Sequence, residues 1–220
     1  MPGKIIISQR ELKILQNASL VAFPVKIQAR LYGDTGNGYF HANKIEFGLP
    51  MDQDALEASQ TFDEYARTCQ ENGYLDFLAS EIAHNNERFT DYRECQRRRH
   101  TDECAMDLPD FSDCVECGVY ADPGILGLYD ITSADQNGHP FAGWHAHPTS
   151  VYGPLDRLSR PCDGDSRAVR RLLFSQTRIV GEVITAVSEN GGVLTKAFEN
   201  PRGLKINDSL GRTEVPIEVV

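Results

Sequence analysis

One block of this chain is patterned for helix, and strand patterns lie on both sides of it. Residues 52–100, DQDALEASQTFDEYARTCQENGYLDFLASEIAHNNERFTDYRECQRRRH, are polar, charged and free of proline, with apolar residues recurring at three- and four-residue steps. That spacing predicts two or three helices. Before it, KIII reads as a short strand, and SQRELKILQNASLVAF offers Ser8 as an N-cap with Glu11 three residues later, a capping box. VKIQARLYG then places Val25, Ile27, Ala29 and Leu31 on one face at strand period, and the turn GDTGNG leads into YFHANKIEFG as a hairpin partner. After DLPDFSDC breaks the helical pattern, CGVYAD, ILGLYDIT and FAGWHAH read as strands, DSRAVRRLLFSQ as a helix, and TRIVGEVITAVS, GVLTKAF and EVPIEVV as strands again. DQNG and ENGG are hairpin turns. The expected class is mixed α/β: one domain over 1–220, with 52–108 as a helical insertion within it.

Composition narrows the function. A 220-residue chain can bury a sizeable core, and 40% hydrophobic with 25% charged residues is the balance of a globular protein. Its net charge of −10 repels phosphates, which argues against nucleic acid and anionic membranes as partners. No apolar run approaches the ~18 residues that a membrane span needs. MPGKIIISQREL carries neither a signal-peptide core nor a lipidation signal, so the default location is cytoplasmic, with a specialised export route also compatible. Six cysteines are too few for a disulfide scaffold at this length, and the default is reduced thiols. Two other arrangements stay open: a small zinc knot from His100, Cys104, Cys114 and Cys117, and a Cys95–Cys104 disulfide in an exported protein.

The stretch PFAGWHAHPTS carries the chemistry. On a strand, Phe141, Gly143, His145 and His147 share one face, while Ala142, Trp144 and Ala146 form an apolar one. The two imidazoles are then about 6–7 Å apart along the chain, close enough to converge on one metal ion. Pro148 donates no ladder hydrogen bond, so the strand should end just past His147, where a site can open to solvent. The competing view is a pair of surface histidines on a half-exposed strand. Downstream, RPCDGDSRAVRRLL puts Asp163 and Asp165 at a helix start, one suited to cap it and the other to bind metal. Two imidazoles, a carboxylate and a water make a four-coordinate Zn2+ site.

GWHAHP, followed by a proline, a small residue, two residues and an aspartate at a helix start, resembles the JAMM/MPN metalloprotease family. The front of the chain, a helix and then a Pro-led strand ending in glycine, is similar too. The resemblance covers most of the chain. It implies an MPN-like curved mixed sheet flanked by helices, zinc held by His145, His147 and Asp165 (Asp163 as the alternative), and Cys162 where the family usually has serine. It implies a peptidase or isopeptidase acting on a peptide or on a ubiquitin-like partner. Three departures stand against it. The His147–Asp165 gap is long, Cys162 is a poorer hydrogen-bond donor than serine, and Lys26 stands where the family's catalytic glutamate follows the early proline. Glu116, in VECGVY, resembles the base of shorter bacterial relatives, and Glu46 is a weaker candidate. Two other functions remain: an inactive MPN-like module that binds a partner through its helical insertion, and a toxin domain delivered by a specialised secretion system.

Overall fold

The computed structural model describes residues 3–69, 74–99, 125–126, 139–149, 155, 179–199 and 213–220. Strand β1 (Ile5–Ile7) runs into helix α1 (Gln9–Val21), whose N-terminus is closed by the expected capping box between Ser8 and Glu11. A hairpin follows, β2 (Lys26–Gly36) and β3 (Tyr39–Phe47). It is longer than the alternation implied. A register shift between Tyr32 and Gly33 lets the ladder continue to a two-residue turn at Asn37–Gly38, with Gly38 at φ 81. Gly33 is required at the shift, because a Cβ there would stand 1.9 Å from the His41 carbonyl oxygen.

Three helices occupy most of the helix-patterned block: α2 (Gln53–Ala58), α3 (Phe62–Thr68) and α4 (Leu75–Arg99). Asp52 caps α2 and Thr61 caps α3, the latter with Glu64 in a second capping box. Leu75, Leu78 and Ile82, spaced by three and four residues, carry α4 onto the apolar core. Tyr65 anchors the lobe: its hydroxyl accepts from the Asp52 N–H at 3.0 Å, and burial pushes its phenol pKa up.

The remaining strands are β4 (Ile125–Leu126), β5 (Phe141–Thr149), β6 (Ile179–Ser188), β7 (Val193–Glu199), β8 (Thr213–Val215) and β9 (Ile217–Val219). The sheet order is β8-β7-β6-β5-β2-β3-β1-β9, with β4 beside β2. β8 and β9 are two halves of one segment interrupted only at Pro216, and they pair with the two opposite ends of that order, β7 and β1. One stretch of chain thereby stitches both edges, and the Ile5 N–H donates to the Pro216 carbonyl at 3.0 Å. The mixed α/β class holds. The sheet itself is a nearly closed barrel rather than the MPN-like curved sheet that the resemblance implied, because the C-terminal segment leaves neither β1 nor β7 as a bare edge.

Candidate metal centre

β5 lies inside the sheet, antiparallel to β2 and parallel to β6. Alternation divides its side chains as the sequence implied. On one face Ala142, Trp144 and Ala146 are buried in the main apolar cluster. Trp144 meets Phe47 edge-on with ring centroids 5.9 Å apart, across the small Ala29 that pairs with both in register. Its indole N–H donates to Thr185 Oγ1 at 2.9 Å, so the one polar atom of this large ring is satisfied.

The opposite face is polar and equally closed. His145 is 8% exposed and His147 is fully buried, with ring centroids 4.6 Å apart. Their Nε2 atoms face each other at 2.9 Å. Behind them stands Glu182 of β6, itself buried, with Oε1 3.2 Å from His145 Nδ1. Across the other edge, Gln28 of β2 is the register partner of His145, which puts its side chain on the same face, and Lys26 follows two residues away. Arg30, partner of Gly143, lies buried with its guanidinium 5.6 Å from the Phe141 ring centroid and Nη1 3.3 Å from the Tyr32 hydroxyl.

Both views of the two histidines need correction on one point. β5 ends at Thr149, just past His147 as expected, but the histidines are neither surface residues nor open to solvent, since His145 and His147 are both buried. A parallel neighbour on one side is enough to carry the strand past a residue with no N–H. Glu46, on β3 and two strands from the histidines, is exposed and within 3.8 Å of Lys44. Glu116, Cys162, Asp163 and Asp165 lie outside the described residues, as do His100, Cys104, Cys114 and Cys117 and the side chain of Cys95.

The spacing of the pair can be set against that of two zinc ligands. With Zn–N bonds of 2.0–2.1 Å and tetrahedral angles, two ligand nitrogens sit about 3.3 Å apart. The observed 2.9 Å is a hydrogen-bonded contact that small side-chain rotations would widen to that spacing. A carboxylate on the far ring nitrogen is the usual support of a metal-binding histidine. Among the described residues no group of three His, Cys, Asp or Glu side chains could hold a metal, so these two imidazoles would need a further ligand.

Glu182 was missed in the sequence, although it had a signal. It is the lone charge within the otherwise apolar run IVGEVITAV, and a charge on a strand buried on both faces needs a partner.

Comparison with known proteins adds little. No family model matches the chain, and no curated protein does. Among solved structures, it is similar to the solution structure of protein DSY2949 from Desulfitobacterium hafniense, with a TM-score of 0.39 and 12% identity over 98% of this chain and 92% of that one. A likeness at that level carries no argument about fold or activity. Among the described residues, no helix is long and apolar enough to cross a membrane.

Proposed function

We propose that the chain is a zinc-dependent hydrolase that cleaves a peptide or isopeptide bond, with His145 and His147 as two of its metal ligands. The observation behind this reading is the pair of buried Nε2 atoms converging at 2.9 Å, with Glu182 behind one of them. Burying three ionisable side chains together costs free energy that a core has no reason to bear, and a metal would offset it. In the JAMM/MPN-like reading, Asp165 (or Asp163) completes the protein ligands. Bound zinc would supply Lewis acidity, bringing the pKa of a water down to about 7 and polarising the scissile carbonyl. Glu116 would take the proton of the attacking water and return it to the leaving amine, and Cys162 would donate a weak hydrogen bond to the developing oxyanion. The chain's charge of −10 suits a basic substrate segment, such as the tail of a ubiquitin-like protein.

A second reading rests on Gln28. It faces His145 in register, with Lys26 next on that face, and neither an amide nor an ammonium can act as a base. If Glu116 does not reach the site, the same fold would bind a partner without cleaving it. Incubation with isopeptide-linked ubiquitin-like chains and with short peptides separates the two. The hydrolase reading expects cleavage that stops on chelation, returns with zinc, and falls about 10²–10⁴-fold in Glu116→Gln with zinc retained. Zinc-loaded protein that leaves every such bond intact supports the binding module.

A further inference from the structure

We infer that Glu182 is a positioning residue: its carboxylate holds His145 as the Nδ1–H tautomer, which presents the bare Nε2 of His145 towards Nε2 of His147. The role it would serve at a metal rests on the proposed zinc site, but the tautomer itself does not.

The argument begins with register. Glu182 is the partner of Gly143, one row behind His145, whose own partner on β6 is Ile184. Gly143 has no side chain, and among the described residues the nearest atom to a Cβ built there is Ile179 Cδ1 at 3.8 Å. Gly143 therefore puts no side chain of β5 in the row between Arg30 and Glu182, and Glu182 Oε1 stands 3.2 Å from His145 Nδ1. With Glu182 ionised and His145 neutral, Nδ1 carries the hydrogen, because a carboxylate only accepts hydrogen bonds. A neutral imidazole has one donor and one acceptor, which leaves Nε2 of His145 as the acceptor. The facing nitrogen of His147, 2.9 Å away, must then donate as Nε2–H. The metal-free pair is a directed chain, His147 to His145 to Glu182.

This order makes the two histidines unequal. His145 is already set with its lone pair facing the point where a metal would sit. His147 has to change tautomer before it can bind through the same nitrogen. Glu182 thus prepares one ligand in advance, and the other is the one that switches.

Multiple-bond ¹H–¹⁵N spectra of the metal-free protein read both tautomers directly. The wild type is expected to show His145 as Nδ1–H and His147 as Nε2–H. Glu182→Met, of similar length but with no oxygen, should shift His145 towards Nε2–H, while Glu182→Gln, whose amide oxygen still accepts, should keep Nδ1–H. In competition with a chelator, zinc affinity should fall about 10–100-fold in Glu182→Met and less than that in Glu182→Gln. His145 found as Nε2–H in the wild type, or as Nδ1–H in Glu182→Met, overturns the inference. A zinc affinity that Glu182→Met leaves unchanged overturns the role of Glu182 at the metal. If Glu182→Met fails to fold, Glu182→Asp draws the carboxylate back by one methylene and must show His145 in mixed tautomers, an unchanged one overturning the inference. A wild type that takes up no zinc, but whose His145 tautomer follows residue 182, removes the zinc reading and leaves the positioning role standing.

Discussion

On one face of β5, Trp144 sits against Phe47 in the apolar core; on the other, His145 and His147 sit against Glu182. The two faces belong to the same nine residues and are equally shut off from water, yet their energetics run in opposite directions. Burying Trp144 is favourable on area alone, and its single polar atom reaches Thr185. Burying two imidazoles and a carboxylate is unfavourable except to the extent that they bond one another. Burial therefore does not mark a site. A buried polar cluster that gains less than a hydrocarbon packing would is the better marker, because something other than stability has to explain it.

That contrast can be broken by comparing losses. Trp144→Ala should cost about 3–5 kcal/mol in denaturant unfolding, since it empties the space beside Phe47 and removes one of the two hydrogen bonds of the Thr185 hydroxyl. His147→Ala should cost less, about 1–3 kcal/mol, the range for leaving a buried polar partner unsatisfied. If the two cost the same, the histidine face is core as well, and the distinction fails. Thr185→Val, which leaves the indole N–H without its acceptor, is expected to cost about 1–3 kcal/mol while leaving metal uptake unchanged.

Two smaller effects sharpen the apolar side. Helix α1 covers the Trp144 face and is tied to it through Gln16, which donates to Thr195 Oγ1, and the Thr195–Thr185 hydroxyl pair. Ser8→Ala removes its cap and should cost about 1 kcal/mol. Tyr65 gives a pH effect in the same cluster. Its pKa is raised in the fold, so its contribution is fully present below the unfolded value of about 10 and is lost as pH climbs from there towards the folded value. Alkaline titration followed by tyrosinate absorbance should show a late phenol that Tyr65→Phe removes.

The sequence exposed the apolar half of this molecule more fully than the polar half. The Ser8–Glu11 box, the alternation through Val25, Ile27, Ala29 and Leu31, and the split of FAGWHAH into two faces follow from side-chain period, a local property. Barrel closure was not legible, because it depends on the segment around Pro216 pairing with strands far away in the chain on both sides. The burial of His147 was hidden for a similar reason. Pro148 marks the strand end correctly, at Thr149, but says nothing of burial, which depends on what the pairing with β6 brings against that face. Glu182 lies 37 positions beyond His145 and meets it only through that same pairing, although its isolation in an apolar run was visible.

Metal content tests the central claim most directly. Elemental analysis of the protein purified with zinc available, then dialysed, should find one zinc per chain in the wild type and none in the double variant His145→Ala, His147→Ala, with circular dichroism showing the helices retained. A wild type without zinc would contradict the account. So would one zinc per chain persisting in the double variant, since the metal would then lie away from β5, with Cys104, Cys114 and Cys117 the first residues to test.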